Sequence, residues 1–270
     1  MAAAAPPVTP ASASASKAPP VAAPPPRPRV PDLRDDGAVR HDTVDADRWA
    51  ARGLVKVTGD ANVGDGTLDG TVTIGGKLSA NSVRYRGTVE VDGPVQVGGA
   101  VSGAGTLRAG QTFHAGEAKL KGTVKVSRAA SVDGAFAVHG SLAAPSLAVG
   151  SLALDGEAQI PGELTGTTVS ARLAADSTFG SIRARSVSLR ARAPNLVEMV
   201  FWGRIQVSAE RVEGDEVELE GVEVQFVRAP KITLGRNAHV TQYEGTIVRR
   251  HASSRVGFES KSRPPYGLRR

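Results

Sequence analysis

The side chains that most often carry acid–base chemistry or bind metal ions are sparse and scattered in this sequence. The chain has no cysteine, which excludes both a disulfide framework and a thiolate metal site. Its five histidines are His41, His114, His139, His239 and His251. The interval between His114 and His139 is not a whole number of the repeats described below, so the two rings need not share a face. We therefore predict no catalytic residue, no metal site and no cofactor.

An acidic run near the C-terminal end has the residue types of a calcium site. Its members are Glu213, Asp215, Glu216, Glu218 and Glu220. The run lacks the Asp-x-Asp/Asn-x-Gly order that loops use to surround calcium with oxygens. On a strand, Glu216, Glu218 and Glu220 would share one outward face. A solvated face, or a docking face for a basic partner, is the better interpretation.

The excess positive charge lies in one segment. The formal net charge is +6, and residues 249–270 hold seven basic residues against Glu259 alone. The basic residues are Arg249, Arg250, Arg255, Lys261, Arg263, Arg269 and Arg270. Such a tail is a candidate binding segment for polyanions or partners, including nucleic acid or a membrane surface. Too few aromatic residues accompany it for a base-stacking platform.

Composition divides the chain into three regions. Residues 1–50 are rich in Ala, Pro and Ser, which predicts a disordered arm, with a short helical turn around Trp49 at residues 42–51. Residues 51–248 alternate β-branched residues with glycine, and residues 249–270 predict a second disordered arm. No signal peptide or membrane span is recognised. We expect a cytoplasmic protein and leave association with a membrane surface open.

The middle region contains a short repeat that begins with glycine. Gly-x-[Val/Leu] recurs at intervals of 17 or 18, at Gly53, Gly70, Gly87, Gly105, Gly122 and Gly140. Two residues after each glycine stands an aliphatic residue: Val55, Val72, Val89, Leu107, Val124 and Leu142. Because alternate strand residues face one side, each repeat predicts short strands with an apolar inner face. Stacked repeats would bury those faces in columns, with other glycines, including Gly103, at the corners.

The second half of the middle region continues the pattern less regularly. Glycines at 162, 180, 203 and 221 are the predicted repeat starts, with a longer gap before Gly203. The run NLVEMVFW, residues 195–202, lies in that gap and predicts a loop or an edge that packs against something. The whole pattern predicts an all-β fold, a right-handed parallel β-helix of about 11 turns at the usual strand spacing.

Two families of β-helix enzymes fit the sequence less well than a structural family does. The hexapeptide register of left-handed acyltransferases is missing, and pectin-type enzymes use longer turns. The Gly-Thr-Val turns and the segment RVEGDEVELEGVEVQFVRAPKITLGRNAHVTQYEGTI resemble the bactofilins, polymer-forming bacterial cytoskeletal proteins. The resemblance covers about residues 53–248. It implies a right-handed β-helix that assembles end to end into filaments without nucleotide and without polarity, and scaffolds partners in cell shape, wall synthesis, motility or chromosome positioning.

Neither end of the predicted solenoid shows a convincing cap, so the ends are the expected polymer interface. The predicted interface residues are Leu54, Val55 and Val57 at the first end and Val240, Tyr243, Ile247 and Val248 at the second. The expected partners are further copies of the chain, together with unidentified proteins that bind the arms. The alternatives are a carbohydrate-active β-helix enzyme and an adaptor that binds DNA or membrane through the basic tail.

Overall fold

The structure, a computed structural model, describes residues 29–192 and 205–259. Every element in these ranges is a β-strand. The strands are β1 (Val30–His41), β2 (Val44–Val57), β3 (Ala61–Ile74), β4 (Leu78–Val91), β5 (Val95–Ala109), β6 (Phe113–Val126), β7 (Ala129–Ala143), β8 (Ser146–Leu173), β9 (Ser177–Ala191), β10 (Val207–Glu213), β11 (Glu216–Glu220), β12 (Glu223–Leu234), β13 (His239–Arg250) and β14 (Arg255–Glu259).

All strand pairs are parallel, and most strands pair with the next strand in the chain. Gly53 pairs with Gly70 and Gly70 with Gly87, so each turn of the chain stacks directly on the turn before it. Among the described strands, β10 and β11 share one level, because both lie between β9 and β12. The predicted parallel β-helix is therefore confirmed, and it has about 13 turns where the repeat predicted about 11.

The core consists of the predicted columns of aliphatic side chains. The residues two positions after the repeat glycines are all nearly inaccessible: Val55, Val72, Val89, Leu107, Val124 and Leu142. Each stacks on the equivalent residues of the turns before and after it, as Val72 does on Val55 and Val89. Burial of these columns between turns is what stabilises the stack, since no single turn encloses its own side chains.

One corner of the solenoid is a column of eight glycines with positive φ. These are Gly37, Gly53, Gly70, Gly87, Gly105, Gly122, Gly140 and Gly156, with φ between +86° and +143°. Each pairs with the next, and a Cβ added at Gly53 would lie 2.5 Å from the carbonyl oxygen of Gly37. Both the backbone conformation and the close approach of the turns require glycine here.

Beyond this column the predicted phase of the repeat is wrong. Gly140 pairs with Gly156, and neither Gly162 in β8 nor Gly180 in β9 has a positive φ. Gly203 and the NLVEMVFW run lie outside the described residues. The Gly-x-[Val/Leu] pattern fails here because glycine also occurs at other corners and where two turns approach closely. Those glycines have the same local sequence as the repeat starts.

The glycine at 103 was predicted at a corner, but it serves packing in the core. Gly103 pairs with Tyr85 of the previous turn, and a Cβ on Gly103 would overlap the Tyr85 ring. Tyr85 is buried in the column that also holds Leu68 and Leu120. The missing side chain at 103 thus leaves the space that the tyrosine ring fills.

The solenoid extends past both predicted boundaries. It begins at Val30, not at residue 51, and strands continue to Glu259, past the predicted end at 248. The helical turn predicted around Trp49 is also wrong, because Trp49 lies in β2 with its ring in the core. Composition concealed β1, because Asp35 and His41 occupy two of its inward positions and charged residues surround the other two, Leu33 and Val39.

Candidate assembly surfaces at the two ends of the solenoid

At the N-terminal end, β1 forms the terminal turn and has a strand partner on one edge only within the described ranges. Its other edge presents backbone N–H and C=O groups, which is the feature by which a solenoid adds further strands. The outward side chains of β1 alternate in charge through Asp32, Arg34, Asp36 and Arg40. An edge of this kind is polar and is poorly suited to apolar stacking.

Polar side chains close two of the core columns at this end, and Leu33 and Val39 close two others. Asp35 stacks on Ala51 and His41 on Val57, so both occupy inward positions. His41 Nε2 lies 3.0 Å from both carboxylate oxygens of Asp35. Trp49 Nε1 donates a hydrogen bond of 2.8 Å to Asp35 Oδ2, and only 5% of Asp35 is accessible. We call Asp35, His41 and Trp49 the polar plug.

The polar plug corrects the predicted interface at the N-terminal end. Val55 and Val57 are fully buried in the second turn beneath β1, so they cannot meet another copy. Leu54 is 57% exposed, but it points outward from the side of the rod. Where the sequence indicated no cap at this end, the described residues place an inward aspartate on the edge strand, a feature that discourages strand addition.

At the C-terminal end, the last strand covers only half of the turn below. β14 pairs with His239, Val240, Gln242 and Tyr243 of β13. The following part of β13, residues 245–250, has no strand on its outer edge within the described part of the chain. As far as residue 259, where the described part of the chain ends, the C-terminal turn is therefore half covered, whereas polar side chains fill inward positions of the N-terminal turn.

Apolar side chains mark the open half-turn. Ile247 stacks on the buried Ile232 and remains partly accessible. Val248 lies at a bulge beside it and is 63% exposed. Tyr243 and Val256 are also only partly buried against the core. The predicted Tyr243, Ile247 and Val248 thus lie at the end, whereas Val240 is buried beneath Val256.

The structure separates the seven basic residues of the predicted tail. Arg249 and Arg250 belong to β13 and Arg255 to β14. Arg250 Nη2 donates a hydrogen bond of 3.3 Å to the Ser254 carbonyl oxygen, and the buried Ser254 hydroxyl donates to the His251 carbonyl oxygen. Lys261, Arg263, Arg269 and Arg270 lie outside the described residues. Three of the seven cations are therefore part of the terminal turns and not of an independent arm.

Four of the five carboxylates of the acidic run, all but Glu220, form ion pairs with arginines or a lysine among the described residues. Glu213 lies between Arg183 and Arg211, Asp215 faces Arg185, Glu216 pairs with Lys231 and Glu218 with Arg190. Burial would raise the pKa of Glu213, but hydrogen bonds from Arg211 and Arg183 outweigh it and lower the pKa. The hydrogen bond from Lys231 lowers the pKa of the exposed Glu216. These carboxylates bind their own chain, which leaves them poorly placed to hold calcium.

Each histidine has a partner in its own or the adjacent turn. His114 faces Asp133, His139 faces Asp155 and His239 faces Glu223, at 3.6–3.8 Å. His251 Nδ1 lies 2.9 Å from the Ser253 hydroxyl. Among the described residues, no three His, Asp or Glu side chains gather closely enough to bind a metal ion. These histidine side chains therefore contact neighbouring side chains of the solenoid.

No helix in the described ranges is long and apolar enough to span a membrane. Comparison of the chain with models of known protein families, with curated proteins and with solved structures finds no match.

Proposed function

We propose that this chain is a structural protein of the bactofilin kind, which assembles end to end into filaments without nucleotide and scaffolds other proteins. The observation that carries the proposal is the open C-terminal half-turn. It combines a strand edge at residues 245–250, which has no strand partner within the described ranges, with accessible apolar side chains at Ile247 and Val248. Hydrogen bonds between the strand edges would set the register of two copies, and burial of apolar side chains would provide their affinity. Neither contribution requires a bound nucleotide.

The two ends contribute unequally in this proposal. Two C-terminal ends meet through apolar contact, and two N-terminal ends meet through the charged edge of β1. The second contact is the weaker one, since the polar plug leaves little apolar surface there. Paired rods therefore form first, and filaments grow from them as the concentration rises.

The test is electron microscopy and sedimentation of the Val248→Asp chain. A carboxylate at the open half-turn would be desolvated on stacking, so end-to-end filaments should be lost and only short particles should remain. Leu54→Asp is the matched control, because Leu54 is similarly exposed but lies on the side of the rod. Filaments that survive Val248→Asp, or that disappear equally with Leu54→Asp, would overturn the proposal.

A further inference from the structure

The charges of the solenoid are arranged in bands along its axis. Residues 78–129, which cover β4 to β6, carry seven Lys and Arg against three Asp and Glu, a formal net charge of +4. Residues 130–163 carry four Asp and Glu and no Lys or Arg, a formal net charge of −4. A basic band of three turns thus adjoins an acidic band of two turns.

Four cations of the basic band surround a gap in the side-chain surface. Arg84, Ser102 and Lys119 stack in one outward column, and Arg86, Ala104 and Lys121 in the next. The cations are exposed, and none has a carboxylate within salt-bridge distance in the described part of the chain. They stand at the corners of a rectangle of about 7 by 10 Å, with two small residues between them.

The acidic band offers a matching pair two turns farther along. Asp155 lies in the same outward column as Lys121, with His139 between them. Glu157 follows across Gly156 on the next outward position. Neither carboxylate is paired with a lysine or an arginine among the described residues. Asp155 therefore projects from the column that holds Arg86 and Lys121, and Glu157 adds a second negative charge on the other side of the Gly156 corner.

We propose that two copies of this chain pair side by side and antiparallel, with Asp155 of each copy seated between Arg86 and Lys121 of the other, Arg84 and Lys119 on one side of it and Glu157 on the other. A two-fold axis between β6 and β7 sets β5 of one copy opposite the Asp155 turn of its partner. Both contacts then form at once, as a symmetric dimer requires. Parallel rods in register would place like bands together, which opposes pairing.

A long polyanion fits this surface less well than a second copy does. The basic band is only about 14 Å long at the usual turn spacing. Nucleic acid lying along the rod would run into the acidic band, where Asp133, Asp155, Glu157 and Glu163 would repel its phosphates. The partner that carries a short, two-charge acidic group next to a basic region is the chain itself.

The experiment is sedimentation equilibrium of the full chain with Val248→Asp, a change that keeps end contacts from obscuring the mass. Lateral pairing does not depend on end stacking, so this readout remains valid if the ends never stack. At about 0.1 M salt the chain should be dimeric, and at about 1 M, where charges are screened beyond about 3 Å, it should dissociate. Lys119→Glu with Lys121→Glu should raise the dimer dissociation constant at least about tenfold, and so should Asp155→Lys with Glu157→Lys.

A mixture of the two charge-reversed chains is the decisive arm. The Lys119→Glu/Lys121→Glu patch has no net charge, because Arg84 and Arg86 remain, so this variant loses the attraction, whereas the Asp155→Lys/Glu157→Lys variant repels itself. The mixed pair keeps the original contact on one side and gains new lysine–glutamate pairs on the other, so it should form a heterodimer. Lys77→Glu with Arg128→Glu is the control, because it changes the net charge equally at a different corner of the rod. A monomer at low salt, or a mixture that stays monomeric, would overturn the proposal. So would loss of binding to a duplex DNA probe in the Lys119/Lys121 variant without any change in self-association.

Discussion

Glycine at the first corner of each turn combines two constraints that no other residue meets. At Gly87 the backbone has φ +115°, and an added Cβ would overlap the carbonyl oxygen of Gly70. Gly98, which lies in a neighbouring turn, has open space around it and no positive φ. Substitutions at Gly87 and Gly98 therefore distinguish the effect of the corner conformation on stability from the effect of replacing any glycine.

We predict that Gly87→Ala lowers the free energy of unfolding by about 1–3 kcal/mol, the usual range for a strained backbone. Gly98→Ala should leave the unfolding free energy within about 0.5 kcal/mol of the parent chain. Urea denaturation followed by circular dichroism measures both values. Equal effects at the two positions would show that the corner column does not constrain the stack.

Tyr85 provides a second test at the scale of one residue. Its hydroxyl is buried without a hydrogen-bond partner, and burial raises the pKa of Tyr85 to about 12. Between pH 10 and 12 the unfolded chain loses this proton and the native chain keeps it, so stability falls as the pH rises. The loss amounts to roughly 2–3 kcal/mol across that window.

Tyr85→Phe removes both the unpaired hydroxyl and its titration. We predict a higher unfolding free energy at neutral pH, by about 1–3 kcal/mol, because an unsatisfied buried group is removed. We also predict a shallower decline between pH 10 and 12 than in the parent chain. Thermal unfolding at a series of pH values measures both effects, and identical slopes in the two chains would contradict the assignment.

At the scale of the strand, sequence periodicity predicted the central turns because their inward positions are aliphatic and recur once in every repeat. The same logic missed β1, although Gly37-Ala38-Val39 stands one turn before Gly53 and has the repeat signature. Asp35 and His41 fill two of its four inward positions, beside Leu33 and Val39, and this mixture resembles a polar linker when the hydrogen bonds of the plug are not known. Pairing across turns, not local pattern, determines where the solenoid begins.

The polar plug makes β1 the element that limits assembly at the N-terminal end. We predict that Asp35→Val with His41→Val strengthens N-terminal contacts, since apolar columns would then reach the end of the rod. The concentration at which filaments first sediment should fall. Asp32→Val with Arg40→Val is the control on the outward face of the same strand. A critical concentration that falls equally in the control, or not at all in the double variant, would contradict this role of the plug.

At the scale of the whole molecule, the formal net charge does not show how the charges are distributed along the solenoid. Outside residues 249–270 the chain is formally neutral, yet it contains the adjoining bands of +4 and −4. The bands are continuous segments of the sequence, but only the stacking of successive turns shows that Arg84, Arg86, Lys119 and Lys121 lie on one flank. The acidic run illustrates the converse, since four of its five charges are neutralised by turns distant in sequence.

A stack of about 13 turns is a rod roughly 60 Å long at the usual strand spacing. Filaments built by end stacking continue that spacing across every junction, because one strand edge meets the next. Their subunit period should therefore equal the rod length. If C-terminal ends pair with C-terminal ends, the true repeat is two rods, about 120 Å.

The most direct measurement is electron cryomicroscopy of the purified full chain without nucleotide. We predict filaments with a layer line at about 4.8 Å, a subunit period of about 60 Å and a two-rod repeat of about 120 Å. Monomers at every concentration would contradict it, as would filaments in which the rods lie across the filament axis.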